Sequence, residues 1–499
     1  MKQIALFLIT ILSLGSSIWW LFSCNNRNPN LSRKQLVELA SDTTQNADEK
    51  QAVIFPDTSY IPPAGAQYTE IRSVDPASPP ITLKVSGSHG AKQPLRLSMF
   101  GANVEYVKLK LPGENDFFLS DTRIQIHYAE AGSSGNRLNT QVYRIDDHFV
   151  TSDPLGVRLF DPSGNFLQNL LMSEFDDQER NVDQIKFDLE GYKRAALLDI
   201  SGTRCFLTFV DFEGKNSNYF NLMLGRHSDA KFWAGEFDLS KRPLFSPQTE
   251  MPDLTPGVKM VPVRNLPIGM FVDDNILFHF RRGNPIGITF NTMGDTLCKF
   301  TNYVTESGGA YVSDRSFFYR SDGELFFRQE FCDTIFRVQS ANRIVPSYCF
   351  DFGTQRLTPS DGANNRTQGK LVPWKWIVFK HSMILIYSEG RDCPNCRGAG
   401  EVTFYCTLYD RQTGQPTAID MQSRYPENIL IENDIDGGFP IPLNSLHLQH
   451  DELIATFTKN QIEEILKNNA GNIPAETVTK LKTMANTLKL NEMLVILVK

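Results

Sequence analysis

The most specific short motif that could do chemistry is a pair of cysteines, Cys393 and Cys396, separated by Pro394 and Asn395. Two thiolates on a tight turn can supply half of a structural zinc site, which needs four ligands. The sequence has one other cysteine nearby, Cys406, and no second pair of this spacing. The alternatives are a local disulfide and a redox pair, and a redox pair usually lies at a helix N-terminus, whereas this motif joins two predicted strands. The pattern therefore favours a structural disulfide or thiol pair over a metal site, and a metal site over a redox centre.

A second candidate is the acidic, glycine-rich stretch that contains Asp434, Asp436 and Gly437. Carboxylates and backbone carbonyls on a flexible loop are the ligands that a calcium ion prefers. The spacing lacks the terminal Glu of an EF-hand calcium loop, and it favours the alternative, a turn in which the carboxylates hydrogen-bond to their own backbone. Because loops on a rigid scaffold carry ligand contacts in many proteins, we predict that these three residues contribute to a ligand-binding site.

The sequence contains no motif of the common hydrolases or nucleotide-binding enzymes. A Gly-x-Ser-x-Gly elbow, a His-Glu-x-x-His zinc motif and a phosphate-binding Gly-Lys-Ser/Thr loop are all absent. His447 and His450 are three apart in an extended context, so their rings should point to opposite faces. Trp374 and Trp376 are two apart and should share one face of a strand, either in the core or as a stacking platform for carbohydrate. The abundance of aromatic residues favours the core.

The N-terminus has the parts of an export signal. Lys2 is followed by an uncharged apolar stretch over residues 4–22, and then by Ser23 and Cys24. The tetrapeptide that ends at Cys24 resembles a bacterial lipobox, which predicts a signal peptide over residues 1–24 and a lipid on Cys24 that holds the mature chain to a membrane. The alternative is an uncleaved helix, for which the stretch is just long enough to span a bilayer. Both interpretations place the rest of the chain outside the cytoplasm.

The overall composition restricts the class of partner. The chain has 499 residues and a formal net charge of −7, and no long run of Lys or Arg follows the signal. Nucleic-acid binding needs concentrated positive charge, so no nucleic-acid partner is expected. Eight cysteines include Cys24, and the odd number that remains cannot all pair within the chain. A hydrophobic content of 41% supports a folded core that does not depend on disulfides.

These candidate sites lie in a chain that is predicted to be almost entirely β. Residues 25–75 are polar and rich in Asn, Ser, Thr, Asp and Pro, which predicts a flexible tether. From residue 76 onward, short runs of alternating or continuous apolar residues are separated by turns that contain Gly and Asp. Hairpins of one recurrent form, as at residues 157–166 and 407–414, favour a β-propeller, with a sandwich or paired barrels as the alternatives.

Two features near the C-terminus complete the predicted architecture. Residues 459–487 have helical spacing on both sides of a turn that contains Gly and Pro, which predicts a short helical insertion. The run from Leu494 to Val498 is strongly apolar, and an exposed apolar edge strand would promote aggregation. We therefore expect this last strand to be buried, where it closes a propeller ring against an N-terminal strand.

Several segments resemble the six-bladed β-propeller lipoproteins of unknown function from gram-negative bacterial envelopes. The resemblance rests on residues 331–338 (FCDTIFRV) and 345–353 (VPSYCFDFG), on the acidic loop at 433–440, and on the closing strand after Glu492. It covers most of residues 95–499. It implies an all-β six-bladed propeller, here residues 76–499, with an address in the cell envelope at the outer membrane. It implies no chemistry, because that family has no settled activity.

The function expected from these observations is that of an envelope-anchored module that binds a carbohydrate or a protein. No cofactor is required beyond a structural zinc or calcium ion at one of the two candidate sites. The alternative is a lyase or hydrolase of extracellular glycans that uses the mouth of the propeller channel. A convergent cluster of His, Arg and carboxylates at one mouth would favour the enzyme, whereas aromatic and neutral polar residues would favour binding.

Overall fold

The computed structural model describes most of the chain between residues 68 and 499. The described residues are 68–86, 92–114, 116–120, 122–128, 132–138, 140–173, 177–180, 184–188, 193–201, 203–212, 230–241, 259–263, 270–273, 276–280, 285–291, 296–304, 317–321, 323–364, 366–390, 403–420, 429–438, 440–449, 452–468 and 475–499. Cys24, the tether up to residue 67, Cys393 and Cys396 lie outside these ranges.

Six four-stranded antiparallel sheets form the blades of a propeller, which confirms the predicted fold class. At four of the six junctions the first strands of neighbouring blades contact one another, and these strands lie toward the centre of the ring. Blade 1 contains Gln141–Ile145, His148–Asp153, Gly156–Phe160 and Phe166–Met172; blade 2 contains Lys193–Ser201, Arg204–Phe212, Ala230–Asp238 and Lys259–Val263; blade 3 contains Met270–Asp273, Ile276–Phe280, Gly287–Asn291 and Thr296–Phe300. Blade 4 contains Phe317–Ser321, Glu324–Arg328, Thr334–Ser340 and Arg343–Asp351; blade 5 contains Leu371–Val378, Ser382–Glu389, Thr403–Asp410 and Pro416–Ile419; blade 6 contains Leu446–Gln449, Glu452–Thr458, Glu492–Val498 and, from the N-terminal side, Val104–Lys110.

Blade 5 shows why these sequences form buried strands. Its second strand is buried along almost its whole length. Successive side chains point to opposite faces of a strand, and here Ile384 and Ile386 pack toward blade 6 while Leu385 and Tyr387 pack toward blade 4. Because a neighbouring blade covers each face, the strand is a continuous apolar run rather than an alternation.

The ring closes as the sequence predicts. The last strand, Glu492–Val498, is fully buried between the second strand of blade 6 and the N-terminal strand Val104–Lys110. The antiparallel pairing runs from Val104 opposite Val498 to Lys110 opposite Glu492. Asn491 extends this closure, since its Nδ2 donates to the carbonyl of Leu111 at 3.0 Å. The two ends of the propeller sequence therefore share one sheet.

An N-terminal segment, which we call the belt (residues 68–103 where described), runs along the outer edges of blades 4 and 5 before it enters blade 6. Ile71–Arg72 and Ile81–Lys84 pair in parallel with the outer strand of blade 4. Gln93 then bridges to the outer strand of blade 5. The belt begins at Tyr68, within the residues 25–75 for which the sequence predicts a flexible tether.

The helical insertion lies between the second and third strands of blade 6, where it was predicted. After a short helix α1 (Pro359–Ala363) between blades 4 and 5, helices α2 (Lys459–Asn468) and α3 (Ala475–Thr487) form this insertion. Ile462 of α2 and Leu481 of α3 are fully buried in the core cluster shared by blades 5 and 6. The insertion is therefore part of the fold rather than an appendage.

Several smaller elements were not predicted. A further four-stranded sheet joins Asp177–Arg180, Gln184–Asp188, Thr122–Tyr128 and Gly132–Leu138, in that order. Its strands precede and follow blade 1 in the chain, so the pairing has no local signature. The remaining elements are the 3-10 turns Leu97–Met99, Leu239–Lys241, Gly353–Gln355 and Leu443–Ser445, and the two-stranded ladder of Leu430–Ile431 with Ile441–Pro442.

The expectation that Trp374 and Trp376 share one face of a strand is wrong. The register between the first two strands of blade 5 shifts between Pro373 and Lys375. Such a β-bulge inserts an extra residue into one strand and breaks the alternation of its side chains. Trp376 packs in the cluster between blades 4 and 5, whereas Trp374 packs against the cluster shared with blade 6. Both rings serve the core, as the sequence favours.

Candidate functional site

The acidic loop predicted to bind a ligand is held between the two strands of the short ladder that precedes blade 6. Both carboxylate oxygens of Asp434 accept hydrogen bonds from Ser98 in the belt, at 2.9 Å from its amide and 2.6 Å from its hydroxyl. Partial desolvation raises the pKa of Asp434, but these hydrogen bonds outweigh it, so that the pKa lies below its ordinary value. Asp434 therefore joins two segments that are far apart in the sequence.

Asp436 and Gly437 make local contacts of the kind expected in an Asx-rich turn. The Oδ1 atom of Asp436 accepts from the amide of Gly438 at 2.8 Å. Gly437 has a φ of 63°, in the left-handed region that favours glycine. Its carbonyl accepts from Lys480 Nζ of helix α3 at 3.1 Å. Asp434, Asp436 and Gly437 thus already accept hydrogen bonds from donors within the protein.

A cavity of about 510 Å³ lies directly beside this loop, at the junction of blades 5 and 6. We call it the blade 5–6 cavity. Three segments line it, namely the belt, the turn between the first two strands of blade 5, and the acidic loop. The lining residues are Ser98, Met99, Phe100, Gly101, Ala102, Phe379, His381, Ser382 and Ile435. Its volume falls within the range of small-molecule sites, about 300–1,000 Å³.

The acidic loop contributes to this cavity in two ways. Ile435 lines it directly, whereas Asp434 holds Ser98, a lining residue, through the two hydrogen bonds described above. Asp436 and Gly437 do not belong to the lining, and their contacts shape the loop behind it. Of the three loop residues that the sequence predicts, Asp434 is the one whose side chain holds a lining residue, Ser98.

The lining is aromatic and neutral polar in character. Phe100 stacks on Phe379 with ring centroids 4.0 Å apart. Ser382 is 8% exposed, and its Oγ has no hydrogen-bond partner among the residues that the structure describes. His381 is exposed at the rim. Among the described lining residues, none is Asp, Glu, Lys or Arg.

The turn that carries Phe379 and His381 is fixed by Arg411 of blade 5. The Arg411 amide donates to the carbonyl of His381 at 3.0 Å, and its Nη1 donates to the carbonyl of Lys380 at 3.2 Å. Its Nε donates to the hydroxyl of Tyr348 in blade 4 at 3.3 Å. One wall of the cavity is therefore anchored by two blades, and such preorganisation lowers the entropic cost of binding.

Charged residues also converge on the first strands at the centre of the ring. Arg320 of blade 4 donates to Asp199 of blade 2 at 2.6 Å, and both side chains are largely buried. His447 of blade 6 contacts the carbonyl of Val142 at 2.7 Å, and burial lowers the pKa of this imidazole. Burial, with the nearby Asp199 carboxylate, raises the pKa of Tyr143 to about 12. The carboxylate and the guanidinium at the centre thus neutralise one another.

The cysteine motif and the lipid site lie outside the described residues, so the structure says nothing of Cys24, Cys393 or Cys396. The five described cysteines, Cys205, Cys298, Cys332, Cys349 and Cys406, are free thiols. The described parts of the chain contain no group of three or more His, Cys, Asp or Glu side chains that could hold a metal ion. Within the same parts, no helix is both long and apolar enough to cross a membrane.

Sequence reasoning found the acidic loop but missed most of the cavity. No motif contains Phe100, Phe379 or Ser382. Their apolar or small side chains indicate a strand and give no indication of a binding site. Ser98 and Asp434 are 336 positions apart in the chain, and only ring closure brings them together. A single sequence offers no local feature from which that contact could be deduced.

The fold and the site define this protein as a six-bladed β-propeller with a neutral cavity between its last two blades. The chain belongs to the family described as a domain of unknown function (DUF4933), which matches residues 63–468. No curated protein matches this sequence.

Several solved structures align with this chain at low sequence identity and low TM-score. One is a member of the DUF4221 family from Bacteroides vulgatus ATCC 8482, with 11% identity, a TM-score of 0.25, and coverage of 80% of this chain and 99% of that one. A Trypanosoma rangeli sialidase in complex with 2,3-difluorosialic acid has 10% identity and a TM-score of 0.30, with 79% of this chain and 59% of the sialidase covered. An ancestral GH74 enzyme has 11% identity, a TM-score of 0.27, and coverage of 71% and 45%. This chain thus spans under two thirds of the length of both enzymes, and the similarity extends to the fold alone.

Proposed function

We propose that this protein is an exported, lipid-anchored binding module of the gram-negative cell envelope, at the outer membrane, and that its ligand occupies the blade 5–6 cavity. The observation that carries the proposal is the link between Asp434 and Ser98. A carboxylate that accepts from both the amide and the hydroxyl of one serine fixes that serine against the cavity wall. A preorganised polar group beside stacked aromatic rings is the usual composition of a small-molecule site.

The contacts favour recognition over catalysis at this cavity. A nucleophilic serine needs a base, normally a histidine, between its hydroxyl and the carboxylate. Here the Ser98 hydroxyl donates directly to Asp434 at 2.6 Å. The carboxylate therefore orients the serine itself. It does not orient a base that could activate the serine. The alternative function, a glycan lyase or hydrolase at the channel, would draw on the charged residues at the centre of the ring, where Arg320 and Asp199 are already paired with each other.

The anchor and the tether supply the second half of the proposal. A lipid on Cys24 would leave about 40 residues before the belt begins at Tyr68, and a flexible chain of that length has an end-to-end distance of about 35 Å. This reach lets the propeller stand clear of the membrane surface. The cavity would then be accessible to ligands in the surrounding medium.

Lipidation is tested by metabolic labelling of the full chain with an alkyne fatty acid in a gram-negative host. We expect label on the wild-type protein in the membrane fraction, and its loss in Cys24→Ser. A wild-type protein that stays in the membrane fraction without label would support the uncleaved helix over lipidation. A full-length unlabelled wild-type protein in the cytoplasm would refute export.

Ligand binding at the cavity is tested by blocking it. Ala102 is exposed and lines the cavity, so Ala102→Trp should fill it without disturbing the core. Ala77 is an exposed alanine of the belt far from the cavity, and Ala77→Trp is the matched control. A panel of saccharides, amphiphiles and short peptides is screened by ligand-observed NMR against all three proteins. We expect at least one compound to bind wild type and Ala77→Trp but not Ala102→Trp. If every bound compound tolerates Ala102→Trp, the cavity is not the ligand site.

A further inference from the structure

The hydroxyl of Ser382 is a buried polar group that a ligand in the adjacent cavity could satisfy. It is buried at the cavity wall and has no hydrogen-bond partner among the described residues. Burying a hydroxyl without a partner costs free energy, and an alanine at this position would avoid the cost. Ser382 begins the second strand of blade 5, where the preceding turn already has its backbone bond, from the Phe379 amide to the Ser382 carbonyl at 2.8 Å. The side chain is therefore not needed for the turn.

The second observation is the lack of formal charge in the lining. The nine residues that line the cavity include no Asp, Glu, Lys or Arg among those described. The Asp434 carboxylate beside the cavity is bound by Ser98, and Glu432 is paired with Arg96 at 3.2 Å. A charged ligand would lose hydration here without gaining a counter-charge. With His381 as its single ionisable side chain among those described, the lining favours a neutral ligand.

The third observation is that apolar and polar groups occupy different parts of the wall. Phe100 and Phe379 form one stacked aromatic pair, and Met99 and Ile435 extend the apolar surface. The two serines, Ser98 and Ser382, supply the hydroxyl groups. A ligand that satisfies both needs an apolar face and hydroxyl groups around its edge.

We infer that the blade 5–6 cavity binds a neutral saccharide ring, whose C–H face packs on Phe100, the partly exposed ring of the aromatic pair, and whose hydroxyl groups bond to Ser382 and Ser98. This inference rests on the proposed function, and it adds the class of ligand. A rotation of Ser382 about χ1, between staggered rotamers, brings its Oγ to the cavity surface when the sugar is bound.

The two serines differ in the hydrogen bonds that they offer. The Ser98 hydroxyl already donates to Asp434, so toward a ligand its oxygen acts only as an acceptor. The Ser382 hydroxyl is uncommitted among the described residues and can both donate and accept. One sugar hydroxyl therefore donates to Ser98, while another exchanges a hydrogen bond in either direction with Ser382.

The test measures saccharide binding by saturation-transfer NMR and calorimetry on the propeller with its tether. The neutral probes are glucose, galactose and N-acetylglucosamine, and the acidic probes are glucuronic acid and N-acetylneuraminic acid. We expect at least one neutral sugar to bind and the acidic sugars to bind at least tenfold more weakly. Ser382→Ala should weaken binding of the neutral sugar about threefold to tenfold, the value of one neutral hydrogen bond.

Ser321→Ala is the matched control for Ser382→Ala. Ser321 is also buried, and its Oγ also lacks a partner among the described residues, but it lies in blade 4 away from the cavity. Its replacement should leave sugar affinity unchanged. Both variants remove an unpartnered hydroxyl, so neither is expected to unfold the protein, and circular dichroism confirms this before titration.

The outcomes separate this inference from the function on which it rests. If only acidic sugars or amphiphiles bind, and Ala102→Trp abolishes that binding, the cavity is a ligand site but the saccharide inference is wrong. If neutral sugars bind with equal affinity to wild type and Ser382→Ala, the role of Ser382 is wrong. If no probe of the wider panel responds to Ala102→Trp, the proposed function fails as well.

Discussion

Replacing each of three buried serines by alanine should separate a ligand-binding hydroxyl from a structural one. The Ser388 hydroxyl accepts from Trp374 Nε1 at 2.8 Å and donates to the carbonyl of Gly390 at 2.7 Å. Loss of a satisfied buried hydrogen bond costs about 0.5–1.5 kcal/mol, so Ser388→Ala should lower the free energy of unfolding by about 1–2 kcal/mol. Ser382 and Ser321 have no such partners among the described residues. Their replacement should change the free energy of unfolding by less than about 0.5 kcal/mol, or raise it.

The assay is urea unfolding followed by tryptophan fluorescence, with the slope m compared among the variants. Equal m values show that a shift of the midpoint reports stability. The expected order of stability places Ser382→Ala and Ser321→Ala at or above wild type, and Ser388→Ala below it. If Ser382→Ala loses as much stability as Ser388→Ala, the Ser382 hydroxyl is satisfied within the free protein. Such a result would refute the proposal that the Ser382 hydroxyl bonds to a ligand.

Four further predictions concern closure, pH, thiols and metals. Ile496 is fully buried in the closing strand, so Ile496→Ala should lower the free energy of unfolding by about 2–5 kcal/mol in the same urea assay, and a loss below 1 kcal/mol would contradict the closure. Asp434 has a lowered pKa, so the stability it adds over Asp434→Asn, less than about 1 kcal/mol at this exposed site, should be present at pH 6 and decline as the pH falls below about 4 through the lowered pKa; a difference that does not decline below pH 4 would exclude this cause. Burial raises the pKa of Cys406 to about 12, so iodoacetamide at pH 8 should modify it only after unfolding, and rapid modification of the native protein, detected by mass spectrometry, would contradict its burial. Because the acidic loop accepts hydrogen bonds from donors within the protein, chelator should leave the melting temperature of wild type unchanged. Asp434→Ala and Cys393→Ser are the comparison variants. A chelator-induced shift that Asp434→Ala abolishes would reveal calcium, and one that Cys393→Ser abolishes would reveal zinc.

The parts of the fold that the sequence predicts are those with a local physical signature. The closing strand is apolar at every position from Met493 to Val498, and only a slot covered on both faces could accept it. In the insertion at 459–487 the repeat of the apolar residues changes from two residues to 3.6. The structure has helices α2 and α3 there. Both predictions follow from periodicity and burial, which a single sequence records.

The parts that the sequence does not predict depend on long-range pairing or on local irregularity. The bulge near Pro373 separates Trp374 from Trp376, and no rule of alternation foresees it. The further sheet pairs Thr122–Tyr128 with Gln184–Asp188, two strands that are separated along the chain by all of blade 1. The cavity also depends on a long-range contact. The sequence predicts the acidic loop as a candidate site, but it does not predict that the loop contacts Ser98.

The most direct test of the account is a crystal structure of the propeller soaked with a neutral saccharide at saturating concentration. The account predicts electron density for one sugar ring in the blade 5–6 cavity, with a hydroxyl within hydrogen-bond distance of Ser382 Oγ and the ring over Phe100. Density for the sugar at the central Arg320–Asp199 pair, with the cavity unchanged, would contradict it and would favour the channel as the functional site.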